Sequence, residues 1–186
     1  MRDEIELTLD RVREHVDMVG IHGCVELALT RPRRSAAGLE VIQYQVVPNL
    51  ITQVGDQYYG ERAAGTAGPP GQVTGMRLGT TATAAAKTGA GAAIVAYITG
   101  SNQAIEATWP QSSLNGSSRR IQWKSIWAAG DSTNAAIVES VITNEAGLTD
   151  VAGTAANTIS RVTFSAINKG ALDTLTNTWS HDLLGA

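Results

Sequence analysis

Between Thr158 and Ile167 the side chains alternate in character. Val162, Phe164 and Ala166 fall on one face of an extended chain, and Arg161, Thr163 and Ser165 fall on the other. A period of two is the signature of a strand with one dry and one wet face, and it excludes a helix over the same residues. The pattern recurs. Asp173–His181 sets Leu175 and Trp179 against Thr174, Thr176 and Thr178, while Ala136–Thr143 puts Val138, Ser140 and Ile142 on one side. His22–Thr30 places Val25, Leu27 and Leu29 inward and Cys24, Glu26 and Ala28 outward. Leu39–Val47 groups Ile42, Tyr44 and Val46, and Arg119–Ala128 groups Ile121, Trp123 and Trp127 against Gln122 and Lys124. Val73–Thr80 and Ala92–Thr99 read as shorter strands.

The breaks between these runs carry turn chemistry. Asn115-Gly116 is a two-residue hairpin signal, Asn168-Lys169-Gly170 separates the last two strands, and Gly130–Asn134 leads into them. Seven to nine strands without regular βαβ alternation predict a mainly β protein: an antiparallel, jelly-roll-like β-sandwich with one or two short helices.

Two stretches follow a helical period instead. Leu9, Val12, Val16 and Val19 lie on one stripe, with Thr8 as cap and Gly20 as stop. This predicts a helix over about 9–19, too short to stand alone, whose stripe docks on its own domain or on a neighbouring subunit. The second runs from Leu50 to about Arg62 behind an Asn49 cap, with Leu50, Val54 and Tyr58 in step. Gly55 and Gly60 weaken it and point to close backbone packing on a sheet. The expected organisation is an N-terminal helical extension over 1–21 and a β-sandwich domain over 22–186.

Charge is sparse and uneven. Only 17% of residues are charged, and thirteen Asp, Glu, Lys and Arg residues fall in the first 34 positions, against 14 basic and 17 acidic in the whole chain. A surface of small polar residues suits a protein that packs against neighbours. The net charge of −3 gives no electrostatic case for direct nucleic-acid binding. A lone Cys24 excludes an internal disulfide framework, the acidic start is not a signal peptide, and no apolar run is long enough for a membrane helix.

Catalytic constellations are not evident. His15, His22 and His181 have no metal-ligand spacing, and Cys24 alternates with apolar neighbours. Ala86-Lys87-Thr88-Gly89 lacks the glycine that opens a phosphate loop. No catalytic, metal or cofactor residue is therefore expected. The four tryptophans, Trp109, Trp123, Trp127 and Trp179, read as core first and as a sugar platform second. Arg31, Arg33 and Arg34 form a local positive cluster that is either a solvated turn or a contact for an acidic partner. Gly65–Gly75, with Pro69 and Pro70, is either an exposed loop or an arm laid on a neighbour.

Several segments together resemble a family of small structural proteins of tailed bacteriophages. They are Pro48-Asn49-Leu50-Ile51-Thr52 with Gly55, Met76-Arg77-Leu78-Gly79-Thr80, the run 137–147 with Ile137, Glu139, Ile142 and Asn144-Glu145-Ala146-Gly147, the strand Thr158–Gly170, and Asp173–Trp179. The resemblance implies a non-enzymatic virion component, assembled in the host cytoplasm. Its first form is a capsid decoration (cement) protein that binds the head across capsomer junctions. Its partners would be the major capsid protein or other virion proteins and further copies of itself, commonly as a trimer, with no membrane and no direct nucleic acid. A minor tail or fibre-associated protein active in host attachment is the alternative, and a carbohydrate-binding β-sandwich module a weaker one. Under these readings the candidate partner contacts are Leu9, Val12, Val16, Arg31, Arg33, Arg34, Pro69, Pro70 and Trp109.

Overall fold

The computed structural model describes residues 20–33 and 37–184. The stripe residues Leu9, Val12 and Val16, the helix expected over 9–19, and Arg34 lie outside the described residues. The strands are β1 (Gly20–Pro32), β2 (Leu39–Ile51), β3 (Gly75–Gly79), β4 (Gln103–Ala104), β5 (Gln111–Asn115), β6 (Ser118–Trp127), β7 (Asn134–Thr143), β8 (Thr158–Lys169) and β9 (Thr174–Leu184). One α-helix, α1 (Gln53–Ala64), follows β2. The strands form one antiparallel sheet in the order β4-β3-β7-β8-β2-β1-β9-β6-β5.

The sheet curls into a half-barrel with two halves, β4-β3-β7-β8 and β2-β1-β9-β6-β5. Among the described residues, their backbone ladders join only where Leu50 and Ile51 of β2 pair with Arg161 and Ser160 of β8. The halves face each other across a shared core. Its rows follow the strand register: Val25, Trp179 and Trp123 lie side by side, as do Leu29, Leu175 and Trp127. Opposite them pack Met76, Leu78, Ile137, Ile142, Val162, Phe164 and Ile167. Polar contacts also cross this core. Asn177 of β9 donates to the Ser140 hydroxyl of β7 (3.2 Å), and the Trp127 indole donates to the Ser101 carbonyl (2.9 Å). The Ser125 hydroxyl reaches the Ala104 carbonyl of β4 (2.9 Å), so the curl brings β6 up to the far end of the strand series.

Helix α1 bridges the two halves at one end. Its cap is Thr52, not Asn49, because Leu50 and Ile51 continue β2 as the link to β8. The buried Thr52 hydroxyl accepts from the Gly55 N–H (3.1 Å) and donates to the Thr158 carbonyl. Gly55 then lies against β8 so closely that a Cβ there would sit 2.2 Å from the Ile159 carbonyl oxygen. Tyr59 extends to β9, where its hydroxyl meets His181 Nδ1 at 2.6 Å. Gly65, with φ of 63°, ends the helix in the left-handed conformation.

Some expectations need correction. Ala92–Thr99 is not a strand. A 3-10 turn at Gly89–Ala92 and a single bridge from Tyr97 to Gly79 replace it. Nor does Lys169 belong to a turn. It ends β8 with its side chain fully buried, and its ammonium donates to the carbonyls of Ala128 (2.8 Å) and Asp131 (2.7 Å). Two carbonyls replace the water that burial removes, and the same burial lowers the ammonium pKa.

Candidate interaction surface

The two halves differ in what covers their outer faces. On β8, Arg161 lies on the side that alternation reads as wet, yet it is fully buried. Its guanidinium binds Glu139 of β7 (2.7 Å), which is equally buried. Glu139 also accepts the backbone N–H groups of Ala96 (2.9 Å) and Val95 (3.3 Å), and Arg161 donates to the Gly91 carbonyl (3.2 Å). The ion pair thus fastens the segment 91–96 over the outer face, burying Ala92, Ile94 and Val141 beneath it. Arg77 of β3 is buried nearby. It pairs with Glu145 and donates to the Thr149 carbonyl (3.0 Å), and desolvation lowers its pKa. Around Arg77, Glu139 and Arg161 this half is dry on both sides, whereas Ala135, Ala136, Ser165, Ala166 and Asn168 at its other end are exposed.

The outer face of the five-stranded half has no such cover. Its β9 row is Thr174, Thr176 and Thr178, and its β6 row includes Gln122, Lys124 and Ile126, all half-buried among one another. Arg120 and Asp182 close the end of these rows with a bidentate pair (2.8 Å for each bond), which holds the Asp182 carboxyl below the usual carboxylate range. The β1 row is Cys24, Glu26, Ala28 and Thr30. Along β2 the face turns apolar: Leu39, Val41, Ile42, Tyr44 and Val46 are all exposed.

Register explains that stripe. Val25, Leu27 and Leu29 point into the core, and their β2 partners are Val47, Gln45 and Gln43. The inner face of β2 is therefore mostly glutamine, and its apolar residues look outward. Gln45 donates to the Ser165 carbonyl (2.8 Å) and accepts the Ser165 N–H (3.2 Å), while Gln43 donates to the Ala166 carbonyl (3.0 Å). These amides span the space where β2 and β8 part.

The expected contact residues that are described, Arg31, Arg33, Pro69, Pro70 and Trp109, fall at three separate places. Arg31 is tied to Asp173 by two bonds (2.6 and 2.9 Å), which keep the Asp173 carboxyl below its ordinary pKa. The pair borders a cleft between the tip of the β1–β2 hairpin and the β8–β9 turn, also lined by Pro32 and Leu172. Arg33 is exposed at the same hairpin tip. Pro69 is exposed, but the Pro70 carbonyl accepts from Arg62 of α1, which anchors that loop to its own helix. Trp109 is half-buried in the turn before β5, with its backbone N–H on the Glu106 carbonyl (2.9 Å). Trp123, Trp127 and Trp179 are core residues. His22 is exposed near the start of β1, whereas His181 is buried under α1. Compared with protein-family models, with curated proteins and with solved structures, the chain matches none.

Proposed function

We propose that this chain is a non-enzymatic structural protein of a tailed-bacteriophage virion, and within the virion a capsid decoration protein that docks on the head across capsomer junctions. The observation that supports the reading is the asymmetry of the sheet. The outer face of one half is covered by its own chain around Arg77, Glu139 and Arg161, while the other keeps a broad outer face of small polar and apolar side chains with few charges. Such a face loses little solvation when a neighbour covers it, because few charges must be stripped of water. The residues that carry the phage resemblance lie in the covered half, in β3, β7 and β8, and in β9 of the open one. The jelly-roll-like sandwich belongs to the same reading, with the two facing halves as its two sheets. Major capsid protein and further copies of the chain are the partners, and the virion, assembled in the host cytoplasm, is the location.

Gold-labelled antibody against the chain, applied to intact and to disrupted particles and viewed by electron microscopy, tests the proposal. Label spread over icosahedral heads is the expected result. Label confined to tails overturns the decoration role in favour of a tail or fibre-associated protein. Absence of label from both preparations overturns the virion assignment.

A further inference from the structure

The β5–β6 hairpin brings an exposed amide, a neighbour without a side chain and a fraying edge together at one residue. Asn115 is the one asparagine of the chain that is followed by glycine. It closes the ladder by pairing with Ser118, and Gly116 and Ser117 form the turn beyond it. The Gly116 N–H therefore lies outside the ladder, in a two-residue loop. Gly116 has φ of 61°, a conformation that suits glycine, and open space surrounds it. With no side chain on residue 116, its amide nitrogen is open to the Asn115 side chain. All of β5 is exposed, and β5 ends the strand order with a ladder on one side only. The last rungs of such a strand open locally at little cost.

We propose that Asn115 is a site of spontaneous deamidation, which makes the end of this hairpin a slow, one-way charge switch. The Gly116 nitrogen attacks Cγ of Asn115 and gives up its proton, the bond from Cγ to the side-chain nitrogen breaks, and ammonia leaves. Water then opens the five-membered imide. Attack at Cγ leaves aspartate, and attack at the main-chain carbonyl leaves isoaspartate. Closing the imide requires the Asn115 side chain to turn back on its own main chain. In the folded hairpin that amide donates to Asp182 (3.2 Å), whose carboxylate Arg120 holds through two bonds of 2.8 Å. Asp182 therefore restrains the reaction, and local opening of β5 releases it. The products reverse the contact. A carboxylate oxygen replaces the donor beside Asp182, so like charges meet and compete for Arg120. Isoaspartate also adds a carbon to the main chain inside a two-residue turn, which the rung between Asn115 and Ser118 cannot accommodate. Both effects loosen β5 at the end of the low-charge outer face. The site rests on this hairpin alone and is independent of the virion reading.

The full chain, held at mildly alkaline pH below its melting temperature, is expected to convert to a more acidic form on isoelectric focusing, one negative charge beyond the net −3 of the sequence. Peptide mapping by mass spectrometry is expected to place aspartate and isoaspartate at residue 115, with the other asparagines unchanged. Asn115→Ser is expected to lose the acidic form. Asp182→Ala, its fold checked by far-ultraviolet circular dichroism, is expected to convert faster than the wild type because the restraint is gone. Hydrogen exchange of the converted wild type is expected to speed up in β5 and not in β8. An unmodified Asn115, after an incubation that deamidates the urea-unfolded chain, overturns the site, as does equal conversion at the other asparagines. An Asp182→Ala rate equal to or below that of the wild type overturns the restraint, and unchanged exchange in β5 overturns the switch.

Discussion

The indole nitrogen of Trp179 lies 3.1 Å from Nε2 of His181, and this contact fixes the protonation of the imidazole. An indole N–H only donates, so Nε2 must accept and carries no proton. The single ring proton sits on Nδ1 and is donated to the Tyr59 hydroxyl (2.6 Å). Full burial against Trp123 and Tyr59 pushes the His181 pKa down to about 3. An unfolded histidine titrates near 6.5. Between these values the unfolded chain binds more protons, so stability rises with pH across the window. The contribution is fully present above about pH 6.5 and is lost as pH falls toward 3. At about 1.4 kcal/mol per pKa unit it amounts to roughly 5 kcal/mol. Thermal melts of the wild type from pH 7 to pH 4 are expected to fall more steeply than those of His181→Gln, which cannot titrate.

The buried pair of Glu139 and Arg161 is expected to respond unequally to single and double replacement. Arg161→Met strands a buried carboxylate and should cost about 3–5 kcal/mol in chemical denaturation. Adding Glu139→Gln removes the uncompensated charge while keeping an acceptor for the N–H groups of Val95 and Ala96. The double variant should therefore recover part of the loss, and an additive double loss would refute this account.

Two glycines in α1 should give opposite signs. Alanine is favoured over glycine in a helix interior by up to about 1 kcal/mol. Around Gly60 there is open space, so Gly60→Ala should raise the melting temperature. At Gly55 the new methyl would meet the Ile159 carbonyl, which is backbone and has no rotamer to escape into. Gly55→Ala is expected to destabilise despite its helix propensity, and a stabilised variant would show that α1 does not bear on β8.

Lys169 is the second test of a buried charge. Lys169→Met keeps the stem but leaves the carbonyls of Ala128 and Asp131 without their donor. A loss of about 1–3 kcal/mol is expected by urea denaturation. Lys169→Arg should not restore stability, since a planar fork cannot replace a compact ammonium between two carbonyls in a packed site.

Alternation in the sequence locates β1, β2, β6, β8 and β9 to within a few residues, because each has an unbroken apolar face over at least two turns of the pleat. It misplaces the buried charges. Arg161 reads as wet because its cover, segment 91–96, is brought there by Glu139, and no local pattern announces a partner from another strand. Lys169 reads as turn chemistry for the same reason: the carbonyls that hold it come from the β6–β7 connection. Ile42, Tyr44 and Val46 are legible as one face of β2, but only the register with Val25, Leu27 and Leu29 shows that this face looks outward. Of the arginine cluster, the sequence could not show that Asp173 engages Arg31, since the two residues come from opposite ends of the chain. A remaining signal was present in Gln43 and Gln45, two amides at alternating positions of a strand, which mark a polar inner edge.

The junction of β2 with β8 also has a mechanical meaning. Beside the shared core, the link along the sheet itself is short: the rungs at Leu50 and Ile51, the Thr52 N–H on the Ile159 carbonyl (3.0 Å) and a pair of glutamine amides join halves that are each stitched internally by ladders of five rungs or more along their central strands. Tension drawn across the sheet concentrates on that narrow hinge line. A stretched molecule is expected to part there first and come apart as two intact plates, and the bridging of the plates by α1, through Gly55 on one and Tyr59 on the other, is what resists it.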